Sequence, residues 1–209
     1  MTSLLRRAPA PALRVVIREA RTARQIESVR ALLQEYRTWL VEHREVTAFP
    51  DPLLMRGLER FDREMASLPG EYAPPRGALF VAYQGTTALG CAALRPLADR
   101  SIELKRVFVR TDSRQGGVGH RLTERALEKA RRLGAPRVVL DTLPGMTAAI
   151  SLYRSMGFRE IHAYWPNPVP TALYFEYRWE PTGSAETLER RAAPRAARER
   201  QGPRPPGSA

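Results

Sequence analysis

The segment that most restricts the fold is Val107-Phe108-Val109, which leads through Arg114-Gln115-Gly116-Gly117-Val118-Gly119 into a helical stretch. A β-branched strand that enters a helix through a glycine turn leaves the N–H groups of the first helical turn unpaired beside the strand end. Glycines let a ligand approach the backbone closely. The helix dipole favours an anion at that end, and Arg114 adds a charge-assisted donor. Three anion-binding patterns compete here. A G-x-x-x-x-G-K-[ST] loop needs a lysine, and none is present in this segment. A G-x-G-x-x-G fingerprint would need glycine where Leu122 stands, and this strand comes too late for an N-terminal βαβ unit. R-x-x-G-x-G remains, beside the reading of a tight turn that uses glycine for geometry alone.

The rest of the chain is punctuated regularly. Leu13–Arg18 reads as a strand. Thr22 with Gln25 is a capping-box pair, and Ile26, Val29, Leu33, Tyr36 and Leu40 mark one helix face. A second helix starts at Asp51-Pro52 with the stripe Leu54, Leu58, Phe61 and Met65. Strands over Ala78–Tyr83 and Ala88–Leu94 flank a hairpin turn, and Ser101–Arg110 is the strand that enters the glycine turn. The following helix carries Leu122, Ala126, Leu127, Ala130 and Leu133 and stops at Gly134. A strand over Arg137–Asp141, a helix over 146–156, a strand over Phe158–Tyr164, a loop over Trp165–Thr171 and a last strand over Ala172–Trp179 complete the order. This order predicts an α/β fold with a mixed, mostly antiparallel central sheet and helices on both faces. The crossover after residue 101 is locally parallel, and the hairpins make their neighbours antiparallel. Within Ser101–Arg110 the apolar residues change phase, from Ile102 and Leu104 to Val107 and Val109, which predicts a β-bulge across Lys105-Arg106.

Composition sets the limits around this core. The 209 residues include 34 Lys+Arg and 22 Asp+Glu, for a net charge of +12, and only Lys105 and Lys129 are lysines. Residues 1–12 and 181–209 are rich in Ala, Pro and Arg and poor in large apolar residues, so they are expected to be flexible tails around a domain spanning 13–180. The arginines elsewhere are interspersed with acids, and no aromatic stripe or helix-turn-helix pattern supports nucleic-acid binding. One cysteine excludes a disulfide framework and a cysteine-based zinc site. No stretch approaches the ~18 apolar residues of a membrane span, and the N-terminus lacks a secretory core. A cytoplasmic location is the expectation, with no membrane partner, no metal, and a homodimer left open.

The run ELKRVFVRTDSRQGGVGHRLTERALEKARRLG, followed by LDTLPGMTAAISLYRSMGF, resembles the GNAT (N-acetyltransferase) superfamily in a bacterial-type form. The features that carry this are the R-x-x-G-x-G turn, the Y-x-x-x-G-F motif at Tyr153, Gly157 and Phe158, and the spacing between them. The resemblance extends in element order over residues 13–180. It implies acetyl-CoA as acyl donor and a primary amine of a small molecule or peptide as acceptor, with direct transfer. It implies that the backbone of Val107, Phe108 and Val109 pairs with the pantetheine arm. It further implies that Arg114 and the amides of Gln115, Gly116, Gly117, Val118 and Gly119 hold the pyrophosphate. Glu103 falls where some members place a general base, and Tyr153 where many place the acid that protonates the leaving thiolate. One departure stands out: Met146 occupies a position where many members have Asn.

Each assignment has a plainer rival. Glu103 could be a solvent-facing charge on a half-exposed strand, and Tyr153 a core aromatic. Acceptor specificity is expected from the first two helices and the final loop, with Glu35, Tyr36, Trp39, Tyr164, Trp165 and Asn167 as candidates. Tyr36 and Trp39 read equally well as core or helix-surface residues. Two function classes rival the enzyme: a catalytically silent acyl-CoA-binding module and an Arg-rich nucleic-acid binder.

Overall fold

The computed structural model describes residues 14–43 and 51–180. The expected tails, residues 1–12 and 181–209, lie outside the described residues. The elements run β1 (Val15–Glu19), α1 (Ala23–Glu42), α2 (Asp51–Ala66), β2 (Ala78–Gln84), β3 (Thr87–Pro96), β4 (Ile102–Val109), a 3-10 turn (Thr111–Gly116), α3 (Val118–Arg132), β5 (Val138–Thr142), α4 (Thr147–Ser155), β6 (Arg159–Ile161) and β7 (Leu173–Tyr177). The capping box of α1 forms as its sequence predicts. Gln25 N donates to Thr22 Oγ1 at 3.3 Å, and Thr22 N donates to Gln25 Oε1 at 3.1 Å. The expected strand over Phe158–Tyr164 shrinks to β6. The segment after it holds Pro166, Pro168 and Pro170, which have no N–H to extend a ladder.

The sheet order is β1-β2-β3-β4-β5-β7-β6, and every pair is antiparallel except β4 with β5. Leu79 and Val81 of β2 and Cys91 and Ala93 of β3 pack with Val29, Leu32 and Leu33 of α1 and Phe61 and Met65 of α2. Because side chains alternate along a strand, Phe80, Ala82, Ala92 and Leu94 are directed to the opposite face. There α3 buries Leu122, Ala126 and Ala130. Among the described residues no helix is long and apolar enough to cross a membrane.

The site is positioned by a break in this sheet. β4 and β5 pair only at Ile102↔Val138 and Glu103↔Val139. Beyond that point β4 bulges. Cys91 faces Phe108 while Ala93 faces Lys105, and Arg106 adopts φ 57°. A bulge bends its strand, so β4 and β5 diverge and a cleft opens between them. Left-handed backbone at a non-glycine residue costs about 1–2 kcal/mol, and the Arg106 side chain offsets it. Its Nε and Nη2 bind Glu64 at 2.7 and 2.5 Å, and its guanidinium lies 4.2 Å from the Phe61 ring centre. Burial pushes the Glu64 carboxyl up, but Arg106 and the Tyr72 hydroxyl outweigh that and hold it below the ordinary range. On the other flank of β4, a Cβ on Gly90 would meet Phe108 O at 2.5 Å, so only glycine fits beside the bulged strand.

Candidate active site

The cleft is a cavity of about 560 Å³ bounded by β4, the end of β5, and the starts of α3 and α4. One end is made of backbone. Arg110 N donates to Leu89 O at 2.9 Å, which sets the hydrogen-bonding phase of β4 against β3. In an antiparallel ladder alternate residues face the partner. Val107 and Val109 therefore turn their N–H and C=O groups away from β3, toward the cavity they line. The first helical bond of α3 runs from Arg121 N to Gly117 O at 3.1 Å. The amides of Val118, Gly119 and His120 thus have no helical acceptor. Gly117 sits at φ 66°, and a Cβ there would meet nothing within 4 Å. This geometry is an open anion cradle.

Of the residues expected at this end, Val107, Phe108, Val109, Arg114, Gly117 and Gly119 line the cavity, and Gln115, Gly116 and Val118 do not. Gln115 and Gly116 are exposed in the 3-10 turn, and Val118 is buried. Arg114 donates from Nε to Val109 O at 3.2 Å, and its guanidinium lies 5.4 Å from the Trp39 ring centre. Met146 lines the wall as an apolar residue.

The other end is made of side chains. Tyr153 of α4 faces the cavity, with its ring 5.5 Å from Phe158 and 6.4 Å from Phe175. Burial, then the nearby Tyr36 and Asp141, push its phenol above the ordinary value. Asp141, at the carboxyl end of β5, is the carboxylate that lines the cavity. Asn167 Nδ2 donates to its Oδ2 at 3.0 Å. On the Oδ1 side the Tyr164 hydroxyl lies at 3.4 Å and Lys105 Nζ at 3.7 Å.

Glu103 sits behind this wall. It is 0% exposed and does not line the cavity. It accepts from the Tyr164 hydroxyl at 2.6 Å, pairs with Lys105 at 3.5 Å, and is bound by Arg95, which also reaches Glu71 at 2.7 Å. Burial pushes the Glu103 carboxyl up, but Lys105, Tyr164 and Arg95 together bring it below the ordinary range. Burial and the charges of Glu103 and Asp141 push the Tyr164 phenol far up, so the proton stays on the tyrosine.

The remaining candidates divide. Tyr36 and Trp39 line the cavity, and the Tyr36 ring also packs 5.3 Å from Phe108 and 5.9 Å from Phe61, so it is both wall and core. Glu35 is not at the cavity; it binds Arg110 through two bonds of 2.8 and 2.5 Å. Trp165 lies under Arg60 of α2, whose guanidinium is 5.5 Å from its ring centre. Tyr164 and Asn167 reach the cavity only through Asp141. The sequence reading missed Asp141 and Lys105. One signal was available for the first: Asp141 is the polar residue that ends an apolar strand beside a parallel neighbour, and ligands in such sheets gather at carboxyl ends of strands.

Comparison with known proteins identifies the family and the fold. A family model described as the acetyltransferase (GNAT) family matches residues 30–158. An uncharacterized N-acetyltransferase of Schizosaccharomyces pombe is 36% identical over 118 residues, which is 56% of this chain and 72% of that protein. An IAA acetyltransferase of Azospirillum brasilense is 34% identical over 106 residues, 50% of this chain and 69% of its own. Among solved structures, PaiA N-acetyltransferase from Thermoplasma acidophilum in complex with coenzyme A superposes with a TM-score of 0.62 at 14% identity. It covers 79% of this chain and 99% of its own, a likeness of fold.

Proposed function

The chain belongs to the acetyltransferase (GNAT) family, and we propose that it moves an acetyl group from acetyl-CoA directly to a primary amine of a small molecule or peptide. The observation that carries this reading is a single cavity with a backbone anion cradle at one end and a tyrosine with a carboxylate at the other. The open position at Gly117, the unpaired amides of α3 and Arg114 fit a pyrophosphate. The cavity-facing N–H groups of Val107 and Val109 and the C=O of Val107 fit an amide-bearing arm laid along β4, while Arg114 Nε occupies Val109 O. The similar Thermoplasma acidophilum protein is a complex with coenzyme A, which supports the same class of donor here.

Acetyl-CoA supplies an activated thioester carbonyl. The acceptor must be deprotonated first. An alkyl amine with a pKa near 10.4 is about 3.4 units away from neutral pH, roughly 4.6 kcal/mol at 1.36 per unit. Asp141 takes that proton, and the nitrogen lone pair then forms the C–N bond. A backbone N–H of the Val107–Val109 segment stabilises the charge that develops on the carbonyl oxygen. Tyr153 gives its phenolic proton to the sulfur as the C–S bond breaks and regains one from the nitrogen as the amide forms. Its upward-shifted phenol keeps that proton available near neutral pH. The proton held by Asp141 leaves to solvent, which balances the reaction. Glu103, the base that the family resemblance implies, acts one hydrogen bond further back, through Tyr164 and Lys105. Tyr36 lines the cavity on the acceptor side, and Trp39 stands beside Arg114 toward the cradle. The reading includes a cytoplasmic setting, which suits the free, buried Cys91 thiol.

The test is release of free CoA from acetyl-CoA against a panel of amino acids, polyamines, aminoglycosides and peptides, with the N-acetyl product identified by mass. Turnover with at least one amine is expected. Tight acetyl-CoA binding with no release across the panel would favour a silent binding module and overturn the reading.

A further inference from the structure

We propose that Tyr164 and Asn167, both on the loop between β6 and β7, are positioning residues that clamp the Asp141 carboxylate in the orientation that receives the acceptor's proton. The proposal rests on the acetyl-transfer reading above. Its starting observation is negative: neither residue lines the cavity, although both stand on the loop where acceptor contacts were expected. They reach the site from behind, through the carboxylate. Asn167 Nδ2 binds Oδ2 at 3.0 Å, while the Tyr164 hydroxyl stands 3.4 Å from Oδ1. The Asn167 donor on Oδ2 and the Lys105 ammonium 3.7 Å from Oδ1 hold the carboxylate against rotation, while Tyr164, whose proton goes to Glu103, closes the Oδ1 side from behind.

The clamp is itself held firmly. Asn167 Oδ1 accepts from Val169 N at 3.0 Å, which closes a local turn, and Pro166, Pro168 and Pro170 fix the backbone on both sides. The Tyr164 ring meets Tyr174 of β7 edge-on at 5.5 Å, and its hydroxyl is anchored on Glu103 at 2.6 Å. The loop thus joins the end of β5 to the start of β4, across the point where the two strands part.

The groups that face Asp141 are Lys105 from β4, Tyr164 from the loop, Tyr174 from β7, Tyr36 from α1 and Tyr153 from α4, with Glu103 beyond Tyr164 and Lys105. Arg95 stands behind Glu103. All four tyrosines are shifted above their ordinary value, burial being the largest cause. Donors to a carboxylate favour its charged form, so removing the Asn167 donor disfavours the charged carboxylate that receives the acceptor's proton.

The experiment compares wild type with Asn167→Ala, Asn167→Asp and Tyr164→Phe at saturating acetyl-CoA from pH 5 to 9. It is paired with an NMR titration of the Asp141 carboxyl carbon in the same proteins. Asn167→Asp keeps the shape, removes the donor and adds a like charge, so a merely structural role leaves it near wild type. The expected result is a kcat at pH 6 at least tenfold lower, a KM for acetyl-CoA within twofold, and an acid limb displaced to higher pH. The displacement is greater for Asn167→Asp than for Asn167→Ala, and the NMR titration moves in the same order. An unmoved limb and titration, or losses confined to the acceptor KM, would overturn the clamp. A wild-type protein that turns over no amine would instead sink the acetyl-transfer reading, and the NMR titration would still decide the clamp.

Discussion

The two ends of the cavity are built by different physics. At the proposed donor end the groups that line the cavity are main-chain amides and carbonyls, positioned by a bulge at Arg106, a left-handed Gly117 and the first turn of α3. At the proposed acceptor end they are side chains: Lys105 from β4, Asp141 from β5 and Tyr153 from α4, with Tyr164 and Asn167 standing behind Asp141 on a proline-rich loop. A main-chain site is fixed once its strand and helix form. A side-chain site exists only when segments far apart in sequence have packed. Substitutions at the donor end should therefore move binding and stability, and substitutions at the acceptor end should move turnover.

The sharpest break in that contrast is at Tyr153. Tyr153→Phe keeps the ring packing on Phe158 and Phe175 and removes only the proton donor, so kcat is expected to fall by roughly 10²-fold or more while acetyl-CoA affinity stays near wild type. Next comes Gly90→Ala. The added Cβ meets Phe108 O, a main-chain atom, at 2.5 Å, and overpacking of this kind costs about 1–3 kcal/mol. Thermal denaturation should show a melting temperature several degrees lower, with weaker acetyl-CoA binding because β4 shifts.

Gly119→Asp probes the cradle alone. A Cβ there lies 3.4 Å from Leu152 Cδ2, the end of a flexible side chain. An acid in the first helical turn favours the helix by about 0.3–1 kcal/mol. The fold should hold while acetyl-CoA binding weakens at least tenfold, about 1.4 kcal/mol, by calorimetry. The smallest effect lies outside both ends. The Ser101 hydroxyl, and then Arg137, hold the Asp99 carboxyl at about 2 against an ordinary 3.8. A depressed carboxylate stabilises the fold fully above its unfolded pKa, and that contribution disappears as pH falls from about 4 to about 2. The side chain is 50% exposed, so Asp99→Asn should cost under about 1 kcal/mol at pH 7. It should also flatten acid denaturation in that window and leave turnover unchanged.

The same contrast explains what the sequence made legible. The element order, the glycine turn, the bulge across Lys105-Arg106 and the Tyr153 stripe follow from local periodicity and turn chemistry, and all appear in the structure. Asp141 was not legible as a site residue, because within V-V-L-D-T it reads as the polar end of a strand. Its Asn167 partner stands 26 residues later and comes within reach as β7 inserts between β5 and β6. Glu103 was legible as an unusual charge in an apolar strand, but its depth was not. Arg95 and Tyr164, which let it be fully buried, lie 8 and 61 residues away. The proline-rich stretch marked a loop, and nothing in its composition showed that the loop would grip a carboxylate.

The most direct measurement is acetyl-CoA affinity and CoA-release rate for Asp141→Asn beside wild type, on the best amine of the panel. Asn keeps the size and a partner for Tyr164 but cannot take the proton. The expected result is an affinity within twofold of wild type together with a release rate at least 10²-fold lower near neutral pH. An unchanged release rate, or affinity and rate falling together, would contradict the division of the cavity into a main-chain donor end and a side-chain acceptor end.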